Sequence, residues 1–205
     1  NGAHANDNTE KIMGEVEAQI DKENVPDIII GVSSIFEEGW NEGVIGLVAG
    51  KICEKYYRPA LIITSTADGF KGSGRSIEEF NLISAIEEAK ENLDKYGGHP
   101  GAAGFSIYSQ EKLDGFTAAM KKIAAVKLQG LELSPKLGID LELKLSEIDL
   151  DLAREVELLS PFGQGNPQPK FVTYGATIND IVNMGGDNQH IKIRLGSIWA
   201  IAFFK

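Results

Sequence analysis

Three clusters in this sequence combine residue types and spacings suited to meeting an anion. Lys71-Gly72-Ser73-Gly74-Arg75-Ser76 places two cations, two hydroxyls and two glycines within six positions. Glycine lets backbone N–H groups approach an anion, and arginine offers a planar fork that matches a phosphate. The same residues also describe a glycine-rich hairpin end with exposed charge. They do not form a P-loop, because GxxxxGK(S/T) is absent. The second cluster, Gly97-Gly98-His99-Pro100-Gly101-Ala102-Ala103-Gly104, predicts a tightly folded backbone that projects His99 from a loop among small neighbours. A ligand contact and a purely structural loop fit it equally. In the third, His190, Lys192 and Arg194 alternate with Ile191, Ile193 and Leu195, so a strand here has a basic face and an apolar face. Such a face is the ordinary outside of a small barrel, and it is also how a barrel tracks a nucleic-acid backbone. Trp199, Phe203 and Phe204 sit in a continuous apolar run and are expected in the core.

No self-contained catalytic centre accompanies these clusters. His4, His99 and His190 are the only histidines, and none has a second ligand at helical or loop spacing. The acidic residues are scattered along amphipathic stretches and read as solvated faces. HExxH, EF-hand, CxxC and GxSxG patterns are absent, so no metal site is expected in this chain.

The elements that must position these clusters fall into two halves. Residues 9–23 carry Ile12, Val16 and Ile20 at helical spacing, and residues 1–8 read as a frayed end. The run Ile28-Ile29-Ile30 suits a strand buried on both faces. A helix over 42–57, with Val44, Leu47, Val48 and Ile52 toward a core, leads past Arg58-Pro59 to a second buried strand at 60–64. Strand, helix, strand is the pattern of a parallel pair. Asp68-Gly69 signals a hairpin, returning a strand over 70–75. A helix is expected over 82–96, stopped by Gly97, then a strand over 105–108 and a helix over 110–127. Residues 129–137 read as a linker. Beyond it, Ile139, Leu141, Leu143 and Leu145 alternate with polar residues as in a half-buried strand. A short helix over 150–159 follows, then strands over 171–184, 190–195 and 198–204, with turns at Gly185-Gly186-Asp187 and Gly196-Ser197. The expected fold is α/β, a mixed sheet flanked by helices, followed by a small β domain of barrel or sandwich type.

Composition bounds the function. One cysteine, Cys53, leaves no intramolecular disulfide and favours an intracellular, cytoplasmic setting. No apolar run approaches the roughly 18 residues of a membrane span. The net charge of −10 opposes a polyanion overall, so any nucleic-acid site must be a local basic patch.

Taken in order, Gly39-Trp40-Asn41-Glu42-Gly43-Val44-Ile45-Gly46, Tyr57-Arg58-Pro59-Ala60, Gly72-Ser73-Gly74-Arg75-Ser76 and Gly97-Gly98-His99 with Ala102-Ala103-Gly104 resemble the DHH-associated domain of a phosphoesterase superfamily. Leu158-Leu159-Ser160-Pro161-Phe162-Gly163-Gln164-Gly165-Asn166-Pro167-Gln168-Pro169, with His190-Ile191-Lys192, resembles the segment that leads into the OB-fold of RecJ exonucleases. The resemblance implies the carboxy-terminal part of such an enzyme. Residues 1–24 would lead from a DHH domain that is missing, 25–128 form the DHH-associated domain, 129–137 a linker, and 138–205 an incomplete OB-like domain. It further implies 5′-to-3′ removal of nucleotides from single-stranded DNA, in DNA repair and recombination. Mn²⁺ or Mg²⁺ would be held by the DHH domain, and single-strand-binding protein is among the partners it suggests. On this resemblance Ser73, Arg75 and Ser76 meet DNA phosphates, with Lys71, Gly74, Gly97 and Gly98 beside them. His99 closes over the cleft near the scissile phosphate, and Lys192, between His190 and Arg194, guides the strand. The fragment alone is expected to be inactive. Asn41 stands where many relatives have histidine, so a proton role there is in doubt. An oligoribonuclease, a cyclic-dinucleotide phosphodiesterase, a tRNA-editing domain and a protein-interaction domain are the rival readings. The first two share only the first half, the third needs an editing cysteine and histidine set that this sequence lacks, and the acidic charge suits the last.

Overall fold

A computed structural model describes residues 2–34, 39–163, 165–186 and 189–203, with side chains from residue 8 onward. Gln164, Asp187 and Phe204 of the segments above lie outside the described residues. The chain divides between Pro135 and Lys136 into two compact units.

In the first unit, β1 (Ile29–Val32) and β2 (Ala60–Thr66) pair in parallel, joined through α2 (Glu42–Tyr56). Then β3 (Gly69–Arg75), β4 (Lys95–His99) and β5 (Ala102–Ile107) complete a sheet of order β1-β2-β3-β5-β4, antiparallel after β2. The helices α1 (Gly2–Glu17), α3 (Leu82–Glu88) and α4 (Gln110–Lys127) pack around it. α1 begins at Gly2, so the expected frayed end is helical. Its Ile12 and Val16 are buried, and a Cβ on Gly31 would lie 2.8 Å from Val16 Cγ2, which places α1 on the Gly31 face of the sheet.

α2 lies on that same face. It is capped by Asn41, whose Oδ1 accepts from Gly43 N–H at 2.8 Å. Its buried stripe is Ile45, Val48, Ala49, Ile52 and Cys53, and Leu47, expected inside, falls off the stripe and is 52% exposed. Burial pushes the Cys53 thiol up to about 11, which removes it as a nucleophile near neutral pH.

The opposite face is closed by α3 and α4, where Phe105 meets Phe116 with ring centroids 4.8 Å apart. The expected helix over 82–96 ends at Glu88. A 3-10 turn follows at Lys90–Asn92, and Asp94 then accepts from Tyr108 N–H and from Lys112 Nζ, committing the chain to β4.

The second unit is β-rich and OB-like. β8 (Ile178–Met184), β9 (His190–Leu195) and β10 (Ile198–Ala202) form an antiparallel meander. A short parallel pair, β6 (Leu141–Glu142) with β7 (Phe171–Val172), and α5 (Leu150–Glu157) complete it. The strand expected over 139–145 shrinks to two residues, because Ile139 and Leu141 are exposed and only Leu143 is buried. The strand expected over 171–184 is broken at Gly175, whose φ of 66° needs glycine.

Candidate nucleic-acid interface

Strand register places the first two clusters side by side on one face of the five-stranded sheet. Lys71, Ser106 and Lys95 align across β3, β5 and β4; Ser73, Gly104 and Gly97 form the next row; Arg75, Ala102 and His99 the third. This is the face that α2 covers over β2 and the near side of β3. A Cβ on Gly46 of that helix would lie 3.1 Å from Ser73 Oγ and 3.4 Å from Arg75 Nη2. Over β5 and β4 the face is open: Gly104 and all five residues of β4 are exposed.

The cations differ in how they are held. Lys71 Nζ lies 2.7 Å from Glu42 Oε2, and that hydrogen bond and charge raise the lysine above its ordinary pKa. Arg75 donates to Ser73 Oγ at 3.3 Å and to Gly74 O at 2.8 Å, so its fork is steadied by neutral groups. Among the described residues neither Arg75 nor Lys95 has a carboxylate partner. Ser106 Oγ, between Lys71 and Lys95, is buried and makes no hydrogen bond. Asp68, Lys71, Lys95, Ser106 and Tyr108 line an open depression of about 500 Å³.

His99 sits at the end of an edge strand, in a hairpin, rather than in a loop after a helix. The turn is pinned because Leu82 N–H donates to Pro100 O and Ser76 N–H to Gly101 O, both at 3.0 Å. His99 Nδ1 accepts from Gly101 N–H at 3.3 Å, so the neutral ring carries its proton on Nε2, available to a ligand. Ser76 is not free to meet a phosphate, since its hydroxyl donates to Phe80 O at 2.6 Å.

The glycines between Lys71 and Arg75 do not cradle an anion. β3 is an inner strand whose backbone is paired to β2 and β5, and its glycines answer a packing demand on the other face. A Cβ on Gly72 would lie 2.1 Å from Phe105 Cζ, and one on Gly74 2.7 Å from Leu61 Cδ2. Gly98 is required by its φ of 152° and by Ala102 O, 2.3 Å from where its Cβ would be.

In the second unit, His190, Lys192 and Arg194 share a face of β9 with Trp199 and Ile201 of β10 and Asp180 and Val182 of β8. Trp199 and Phe203, expected in the core, are 42% and 64% exposed. A three-stranded sheet with apolar residues on both faces cannot bury both. Lys192 Nζ lies 4.6 Å from the Trp199 ring centroid, a cation–π contact, and the His190 ring meets Phe203 edge-on at 5.3 Å.

Sequence reasoning missed Lys95, Ser106 and the exposure of Trp199. The signal for the first two was available: Lys95-x-Gly97-x-His99 and Ala102-x-Gly104-x-Ser106 each have period 2 and flank Pro100-Gly101, a hairpin pattern.

Residues 24–125 match the DHHA1 domain family, and residues 139–205 match the RecJ OB domain family. The single-stranded-DNA-specific exonuclease RecJ of Bacillus subtilis is 32% identical over 163 residues, covering 78% of this chain and 21% of that protein. RecJ of Thermus thermophilus is 32% identical over 167 residues, covering 78% and 23%. The crystal structure of RecJ in complex with Mn²⁺ from Thermus thermophilus superimposes with a TM-score of 0.80 at 25% identity, over 99% of this chain and 29% of that one. The same RecJ is also solved with Mg²⁺. The chain spans less than a third of each of these proteins. Among the described residues no three His, Cys, Asp or Glu side chains gather as metal donors. No described helix is long and apolar enough to cross a membrane. With both domain families in order along it, the chain belongs to the RecJ family, of which it holds a DHHA1 domain and a RecJ OB domain.

Proposed function

We propose that this chain grips single-stranded DNA for a RecJ-type 5′-to-3′ exonuclease acting in DNA repair and recombination. Arg75 forks one phosphate, Lys71 and Lys95 meet another, and His99 presents Nε2–H toward the phosphate to be cut. Hydrolysis with Mn²⁺ or Mg²⁺ belongs to a DHH domain, in keeping with the metals named for the Thermus structures. In the second unit, Trp199 stacks a base while Lys192 and Arg194 follow the backbone, a sequence-independent mode of binding.

The observation that carries this reading is the register that aligns Lys71, Arg75, Lys95 and His99 on one open face. It answers the objection of a net charge of −10, because the attraction is local and two of the cations have no carboxylate partner among the described residues. The RecJ OB match over 139–205 favours a long substrate over the short ones of oligoribonucleases and cyclic-dinucleotide phosphodiesterases.

Fluorescence anisotropy with labelled single-stranded DNA tests it. Lys95→Ala and Arg75→Ala should each weaken binding, and Lys95→Ala, at an exposed position, should do so without lowering Tm. If the parent chain does not bind, or both variants bind as it does, the face is not a DNA track and a protein-interaction surface becomes the better reading.

A further inference from the structure

Most glycines on the β3–β5–β4 part of the sheet have a reason within the protein. Gly72 and Gly74 make room for Phe105, Leu61 and Leu82, and Gly98 has a left-handed φ against the backbone of Ala102 and Ala103. Gly97 and Gly104 have none. Neither has a φ in the region that favours glycine. A Cβ on Gly97 would meet nothing within 4 Å, and one on Gly104 only Gly72 O at 3.8 Å. Glycine weakens a strand interior, because it loses more chain freedom on folding and packs no side chain. Alanine would therefore serve the fold better at both positions.

These two glycines are direct partners across β4 and β5, in the middle row of the open face. On one side of them lie Lys71, Ser106 and Lys95, and on the other Arg75, Ala102 and His99. A second observation points to an occupant. Lys95 and Arg75, one in each flanking row, have no carboxylate partner among the described residues, so each row offers a cation to an anion lying beside the glycines.

We infer that Gly97 and Gly104 are bare so that the sugar of a polynucleotide lies directly on the strand backbone, its flanking phosphates held by the two cationic rows. The inference rests on the proposed DNA-binding role and adds a seat that the charged residues alone do not define. Side chains at these two positions would lift the strand away from both anchors at once. The pair thereby sets how closely a nucleic acid approaches, while the cations set how strongly it is drawn in.

The test compares Gly97→Ala, Gly104→Ala and Gly104→Ser with the parent and with Arg75→Ala, in the whole chain. Thermal unfolding should give Tm values equal to or above the parent's for both alanine variants. Anisotropy with labelled single-stranded DNA should give a Kd at least tenfold higher for each glycine variant. If Arg75→Ala weakens binding but the glycine variants bind like the parent, the seat is overturned and the DNA-binding role stands. If the parent shows no salt-dependent binding, both fall. A glycine variant with a lowered Tm would also overturn the inference, since the glycine would then serve the fold.

Discussion

Gly72→Ala separates packing from ligand binding within the Lys71–Ser76 segment. A Cβ here would lie 2.1 Å from Phe105 Cζ and 2.2 Å from Cε2. The ring has little room to yield, because Phe105 is buried and packs on Phe116 at 4.8 Å. Overpacking of this kind costs about 1–3 kcal/mol. Alanine's lower chain entropy returns about 0.5–1 kcal/mol. The net loss of roughly 1–2 kcal/mol corresponds to a Tm lower by roughly 3–10 °C for a unit of this size. Urea and thermal unfolding measure it, with DNA binding followed on the folded protein. Phe105→Leu removes the obstructing ring, so the double variant should be at least about 1 kcal/mol more stable than the sum of the single losses predicts. If Gly72→Ala is as stable as the parent yet fails to bind anions, the packing account is wrong and the glycines cradle a ligand after all.

Three further outcomes follow from the same geometry. Glu42→Gln frees Lys71 from its half-exposed ion pair; stability should change by less than about 1 kcal/mol, while affinity for single-stranded DNA at low salt rises about 2–5-fold in a fluorescence titration. Asn41→Ala removes the α2 cap and should cost about 1 kcal/mol in a urea titration, with Asn41→Asp retaining most of it. The Lys112 ammonium, and then the Tyr108 N–H, hold the Asp94 carboxyl below its ordinary range. A depressed carboxylate contributes stability that is full above the unfolded value of about 4 and is lost as pH falls through the lower folded value. The parent should therefore lose stability over that acid range more steeply than Asp94→Asn, as read by unfolding midpoints between neutral pH and acid.

Much of the first unit is legible in the sequence because its signals are local. The apolar runs at Ile28–Ile30 and Ala60–Thr64 mark inner strands, and Asp68-Gly69 marks the hairpin, whose Gly69 has a φ of 121°. The segment 89–99 misleads because Ala89 and Leu93 continue the helical periodicity of Leu82 and Ile86, and both are buried. What ends the helix is tertiary, the Asp94 contacts to Tyr108 and Lys112, which lie 14 and 18 residues on. For the same reason Lys95 was missed as a site residue: the helical periodicity of Ala89 and Leu93 overrode its period-2 pattern, and β-pairing brings it opposite Ser106 and in line with Lys71. The glycines of the Lys71–Arg75 stretch carry the opposite lesson. Their residue type was readable, but whether they face a ligand or Phe105 depends on which side of β3 is packed. Asn41, doubtful as a proton carrier, has a complete role as a helix cap. In the second unit Ile139 and Leu141 alternate with polar residues but have no face to bury against, so periodicity there overstates the strand.

The most direct test of the DNA-gripping face is the salt dependence of binding to labelled single-stranded DNA. For single strands, log K falls against log salt by about 0.7 for each phosphate neutralised, so the two phosphates met by Arg75 and by Lys71 with Lys95 give a slope of about −1.4 or steeper. Arg75→Ala should weaken binding and make that slope shallower by about 0.7. A slope near zero, or one that Arg75→Ala leaves unchanged, would contradict the account.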